Sequence, residues 1–209
     1  VDAGRAALLC IDMQCDELDD GGFLGGTLGF DVGRYREVAP RVVALVHGCR
    51  ALRMPVVAVQ AVYDSAYLNP PMRERFAALP GADAYARKGD PGTACLPEIL
   101  AAGVDLIVPK SHYSAFAPGR SFGYRPGNAG LEAYMRRPAS DDPTIAARGG
   151  RTMTDYFAAA ETPPRDPDAH LDGGRVVALD DYLRGKGIDT VIIAGGSTHV
   201  CVDAAVGGA

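Results

Sequence analysis

The stretch Thr190 to Val202, TVIIAGGSTHVCV, decides how the rest of the chain is read. Thr190–Ala194 is a short, almost wholly apolar and largely β-branched run, the pattern of a strand buried on both faces in a parallel sheet. Gly195, Gly196, Ser197 and Thr198 follow, small residues that let the backbone bend sharply before Cys201. Upstream, Leu179–Lys186 has helical periodicity and Gly187 stands where a left-handed stop belongs. Helix, turn, buried strand and glycine turn are the components of a crossover in an open α/β sheet.

The same grammar recurs outward from there. Arg5 to Asp12, RAALLCID, is a second buried strand. The apolar residues Val38, Val42, Leu45, Val46, Cys49 and Leu52 repeat at helical spacing between Arg34 and Arg53, and Pro55 ends that helix. Val56–Val62 is the next strand. A helix starting near Thr93 leads into the strand Val104–Val108. Alternation with short turns predicts a three-layer α/β/α fold around a mostly parallel sheet, with right-handed crossovers and one domain over 1–209. Residues 117–178 interrupt the pattern. Within 117–170 the only branched aliphatics are Leu131 and Ile145, too few for a core of their own. That stretch reads as an insertion resting on something else, either a lid over the site or an arm onto a neighbouring subunit. The run Gly21–Gly29 lacks phosphate-loop spacing and reads as a flexible loop.

Bulk properties exclude several functions. The 209 residues carry a net charge of −5, and the pI is about 5.3. No basic field is therefore available for nucleic acid or an anionic membrane surface. No apolar run reaches the length of a membrane span. Five cysteines (Cys10, Cys15, Cys49, Cys95 and Cys201) are scattered without CxxC spacing. They read as reduced thiols of a cytoplasmic protein without a zinc site. Val1 stands almost on the first strand and Ala209 just after a helix should begin, so the sequence reads as a fragment with at least one more strand expected.

Residues just beyond the carboxyl ends of parallel strands converge on one crevice. That rule selects Asp12, Lys110 and the loop ending in Cys201. A thiol at a helix N-terminus is biased toward thiolate, and bent backbone ahead of it can aim N–H groups at a developing oxyanion. In a shared crevice, Lys110 would hold the carboxylate and lower the thiol pKa, while Asp12 would move the proton from Cys201 to the leaving group. Taken singly, each residue has a blander reading: Cys201 as a small buried hydrophobe, Asp12 as a turn cap, Lys110 as a solvated surface charge.

Leu9–Gln14 (LCIDMQ), Lys110–Phe116 (KSHYSAF) and Gly195–Val202 (GGSTHVCV) resemble the three signature motifs of the isochorismatase-like cysteine hydrolases. That superfamily includes N-carbamoylsarcosine amidase, ureidoacrylate and biuret hydrolases, and nicotinamidase. The resemblance covers about 1–116 and 179–209. It implies a Rossmann-like fold, a triad of Asp12, Lys110 and Cys201, and an oxyanion hole from the backbone N–H groups of Ser197 and Cys201 beside a cis Gly196–Ser197 peptide. It also implies a thioester intermediate and release of amine or ammonia. Gln14, His112, Tyr113, Phe116 and Thr198 are the candidate substrate contacts. His199 is a weaker candidate, and His47, on a helix, has no expected role. Arg120 and Arg125 follow the Lys110 motif closely enough to meet a substrate carboxylate.

The chain departs from the family pattern at three places. Cys15 stands where the family usually has Asn, and Asp16-Glu17 replace its acidic–aromatic pair. The nicotinamidase metal site needs histidines after the second strand. The stretch Tyr63 to Leu68 offers Asp64 but no histidine, so no metal or other cofactor is expected. Relatives that open isochorismate's vinyl ether can lack the cysteine, so its presence favours amide chemistry. Vinyl-ether hydrolysis with Asp12 as acid, and a non-catalytic interaction protein on the same fold, remain the alternatives. The expected partners are a small amide and further copies of the chain, as a dimer or tetramer.

Overall fold

The computed structural model describes residues 1–141, 164–196 and 198–208, with the side chains of Thr198 and His199 left out of the description. Four strands form one sheet: β1 (Ala6–Ile11), β2 (Val56–Ala61), β3 (Leu106–Lys110) and β4 (Thr190–Gly195). Their order is β3-β2-β1-β4 and every pairing is parallel. β1 to β3 are buried throughout, as their unbroken apolar runs require, while β4 is half-buried.

Alternate side chains of the strands feed two cores. Leu9, Ile11, Val57, Val59, Leu106 and Val108 face one side, against Phe76, Leu179, Tyr182 and Ala205. Leu8, Cys10 and Val56 face the other, against Val42, Val46, Cys49 and Ile99. Helices therefore cover both faces, and the fold is three-layer α/β, as the alternation predicts.

Among the described residues the α-helices, in chain order, are α1 (Cys15–Leu18), α2 (Gly33–Arg36), α3 (Ala39–Ala51), α4 (Pro70–Ala77), α5 (Pro97–Gly103), α6 (Ala129–Met135), α7 (Pro167–Asp172), α8 (Leu179–Gly185) and α9 (Asp203–Gly208). The single helix expected over Arg34–Arg53 is two, α2 and α3. Pro40 lies in the first turn of α3, where its missing N–H is harmless; one turn later in an unbroken helix it would remove a hydrogen bond. Gly187 has φ +69, the left-handed stop expected after α8.

Two expectations need correcting. The glycine run is not simply a loop: Phe23–Thr27 forms a wide helical turn, and Phe23 is buried with its ring stacked on Tyr85 at 4.6 Å. One aromatic anchor is enough to order a glycine-rich stretch. Within 117–178, the described segments 117–141 and 164–178 supply residues that pack on the chain's own sheet. Tyr124 pairs antiparallel with Ile107 and Ser121 with Lys110, along the outer edge of β3. Phe122, Tyr124, Leu131, Tyr134 and Val176 pack with Val62 and Ile107 in a third cluster, so aromatics supply what branched aliphatics do not. Lys88, fully buried, fastens α6: its Nζ donates to the carbonyls of Tyr134 (2.6 Å) and Arg137 (2.7 Å) at the negative end of the helix. The remainder of the predicted lid or arm, residues 142–163, lies outside the described residues.

Candidate active site

Each strand delivers one residue to the same point. Asp12 follows β1, Tyr63 follows β2, Lys110 ends β3, and the turn after β4 leads to Cys201. At that turn Gly195 has φ +148, and a Cβ there would lie 2.0 Å from the carbonyl oxygen of Ile11. Only glycine lets β4 pass this close to β1, where the Gly196 N–H donates to the same carbonyl at 3.0 Å. Asp12 has φ +52, unusual for a residue with a side chain. Strained backbone of this kind persists where the surrounding structure imposes it, often at a working site.

Asp12 and Lys110 are both fully buried, with Nζ 3.3 Å from Asp12 Oδ2. Lys110 Nζ also donates to the Tyr63 hydroxyl at 2.9 Å and lies 3.4 Å from Cys201 Sγ. The Tyr63 hydroxyl is in turn 3.2 Å from Sγ. Asp12 Oδ1 has no full hydrogen bond among the described residues, and the Cys201 thiol is a hydrogen-bond donor beside the carboxylate. The sequence rule thus brings its three residues together.

Electrostatics correct one expectation. Burial, and then the Asp12 charge, push the Cys201 thiol up to about 12, against the opposing pull of Lys110. The helix-terminus argument predicted a lowered thiol. Dehydration of sulfur beside a carboxylate outweighs it, so Cys201 rests as a protonated thiol. For Lys110, burial alone would favour the neutral amine, but Asp12 and Cys201 more than compensate and its pKa rises. The ammonium stays charged.

Cys201 opens onto a cavity of about 210 Å³ walled by Tyr63, Arg75, Phe76, Leu79, Tyr85, Tyr113 and Val200. Tyr113 is thus one of the candidates that lines this cavity. Other candidates lie elsewhere. Gln14 is consumed by the backbone: its Nε2 donates to the carbonyls of Ala61 (3.0 Å) and Thr93 (2.7 Å), and its Oε1 accepts from Ala61 N–H (2.6 Å). A carboxamide with these bonds stitches α1 to β2 and has no spare face for substrate. Phe116 packs on Gly208 of α9 and does not line the cavity. His112 accepts the Ser114 N–H at 3.3 Å and is kept neutral, its pKa lowered by burial and by Lys110. Arg125 is committed to Asp168 and Asp172 of α7. Arg120 donates to the Tyr67 carbonyl at 3.5 Å. His47 is exposed on α3. Ser197, with the Gly196–Ser197 peptide, and the side chains of Thr198 and His199 lie outside the described residues.

Asp16 and Glu17, the departures in the first loop, turn inward. Asp16 accepts from Ala86 N–H at 2.8 Å, and Glu17 accepts from the Tyr85 hydroxyl. Together they hold the segment that carries a pocket wall. Asp64 accepts the Ala66 N–H within its own turn. Among the described residues no group of three or more His, Cys, Asp or Glu is placed to hold a metal.

The family model for the isochorismatase domain matches residues 6–146 and 176–209. The chain belongs to the isochorismatase family. Within that match the run through 146 is unbroken, so the stretch outside it, 147–175, is narrower than the insertion expected at 117–178. Ureidoacrylate amidohydrolase RutB from Klebsiella pneumoniae subsp. pneumoniae is 26% identical over 204 residues, 95% of this chain and 64% of that protein. RutB from Stutzerimonas stutzeri is likewise 26% identical, over 96% of this chain and 62% of its own. The isochorismatase-family chain thus spans a little under two thirds of the curated relatives it matches. Two solved structures share the fold. A cysteine hydrolase from Pseudomonas syringae pv. phaseolicola has a TM-score of 0.58 at 18% identity, covering 98% of this chain and 65% of its own. N-carbamoylsarcosine amidase from Thermoplasma acidophilum has a TM-score of 0.54 at 19% identity, covering 97% and 74%. Among the described residues no helix is long and apolar enough to cross a membrane.

Proposed function

We propose that this isochorismatase-family chain is a cysteine amidohydrolase that cleaves a C–N bond of a small linear amide, ureido or carbamoyl compound. The observation that carries the reading is the buried cluster of Asp12, Lys110 and Cys201, whose cysteine lines a 210 Å³ cavity. In the first half-reaction the Cys201 proton passes to Asp12 as sulfur bonds to the substrate carbonyl carbon. Asp12 then returns that proton to the leaving nitrogen, the C–N bond breaks, and a thioester remains. Water attacks the thioester with Asp12 taking its proton, and the thiol is restored as the acid departs. Lys110 stays charged throughout and balances the carboxylate. The backbone N–H groups of Ser197 and Cys201 are assigned to the tetrahedral oxygen.

The cavity walls support a narrower class. Four aromatic rings line it, and among the described residues Arg75 is the one charged side chain there, its guanidinium 5.4 Å from the Tyr113 ring centroid. Arg75 has no ion-pair partner among the described residues, which suits a substrate carrying a carboxylate. RutB, whose name specifies a ureido acid, is consistent with that choice.

The test is ammonia release over ureido acids, carbamoyl amino acids, maleamate, biuret and nicotinamide. Acidic linear members should be turned over and Cys201→Ala should be inactive yet folded. Appreciable turnover by Cys201→Ala, or no acyl adduct on Cys201 after quenching, would reject nucleophilic catalysis and leave vinyl-ether chemistry as the reading to pursue.

A further inference from the structure

We propose that Tyr63 is a catalytic residue: its hydroxyl, held by Lys110, donates its proton in a hydrogen bond to Cys201 Sγ and stabilises the charge that builds on sulfur during attack. The inference rests on Cys201 as nucleophile.

The direction of the bonds follows from the donors available. The Lys110 ammonium has three N–H donors and no acceptor, so at 2.9 Å the Tyr63 oxygen must accept from it. The phenol's single proton then points elsewhere, and the acceptor in reach is Sγ at 3.2 Å. The hydroxyl is also fixed in place. Tyr63 is buried, its ring centroid lies 4.9 Å from that of Phe76 and 5.6 Å from that of Tyr85, and its N–H donates to the Ala86 carbonyl at 2.9 Å. It needs no reorganisation at the moment of reaction.

The effect is selective for the transition state. A hydroxyl bonded to a neutral thiol gains little, but bonded to a developing thiolate it becomes a charge-assisted donor and strengthens as the reaction advances. Tyr63 keeps its proton throughout, since burial, and then the charges of Asp12 and Cys201, raise its own pKa well above the usual phenol range. The thiol proton goes to Asp12, the sulfur electron pair forms the bond to carbon, and the phenol serves sulfur as an oxyanion hole serves oxygen. The same ring walls the cavity, so the residue that senses substrate also touches the reacting atom.

The experiment is Tyr63→Phe, which keeps the ring and its packing and removes only the hydroxyl. Two rates are compared with the parent: alkylation of Cys201 by iodoacetamide in the free protein from neutral to alkaline pH, assigned by peptide mass mapping to separate it from Cys15, and kcat/KM for ammonia release. Both should fall by about tenfold to hundredfold at a given pH, the loss expected for one hydrogen bond to a charged acceptor, with KM little changed. Unfolding midpoints are read in parallel. A loss that vanishes when rates are scaled to folded protein overturns the inference. Unchanged alkylation overturns it too, and if turnover still falls the hydroxyl acts on substrate instead. Alkylation needs no substrate, so a protein that hydrolysed none of the amides would still test Tyr63, while an active amidase with parental alkylation would sink this inference alone.

Discussion

Replacing Lys110 by methionine removes the buried ammonium and leaves Asp12 fully enclosed without a counter-charge. Its Oδ2 is paired with Nζ at 3.3 Å and its Oδ1 already lacks a full hydrogen bond among the described residues, so the carboxylate would be stranded. Breaking a buried pair by removing one partner costs about 3–5 kcal/mol. For a chain of this length that is a fall in unfolding midpoint of about 6–20 °C. Adding Asp12→Asn should recover most of it. Asparagine carries no charge and tolerates the left-handed φ of +52 at this position. The double variant should therefore lie within about 2 kcal/mol of the parent. Lys110→Met, Asp12→Asn alone and the double variant should all be inactive, which separates stability from catalysis. The assay is urea unfolding followed by circular dichroism, with calorimetry as a second probe. If the two single losses simply add in the double variant, or Lys110→Met melts with the parent, the carboxylate and ammonium are not the dehydrated neighbours described above.

Gln14→Leu should destabilise by about 2–4 kcal/mol, because it orphans the buried N–H and carbonyl of Ala61 and leaves the Thr93 carbonyl only the Gln60 amide at 3.3 Å, while leaving KM unchanged in the folded fraction; a raised KM at parental stability would restore Gln14 as a substrate contact. Alkaline pH should weaken the fold through Cys201. Its folded pKa of about 12 lies above the ordinary thiol value of 9.0. Its contribution is therefore complete below pH 9.0 and is lost as pH rises toward 12, at up to about 1.4 kcal/mol per pH unit. Cys201→Ala should flatten that decline in a series of melts, and an unchanged slope would mean that the thiol is not held protonated.

The strands were legible because burial on both faces leaves an unbroken apolar run, and that signal is local. So was the convergence of Asp12, Lys110 and Cys201, since parallel strands share a carboxyl edge. Tyr63 obeys the same rule and was passed over, because two residues beyond β2 an aromatic reads first as a pocket wall or core filler. Its hydroxyl matters only once two neighbours distant in sequence are in place. Gln14 was misread for the complementary reason: its partners are backbone groups, which carry no signature in a sequence. The raised Cys201 thiol was missed because dehydration is a property of the assembled site, whereas a helix terminus can be located in advance. How residues 117–141 are seated was not legible, because a count of branched aliphatics does not register aromatic packing on β3.

The chain contains nine tyrosines and no tryptophan. Three of those tyrosines, Tyr63, Tyr85 and Tyr113, line the cavity at the nucleophile. Ultraviolet emission from this chain is therefore tyrosine emission, unquenched by transfer to an indole, and a third of its emitters wall one small chamber. Occupancy of that chamber can be followed optically on unlabelled protein, before any turnover assay exists.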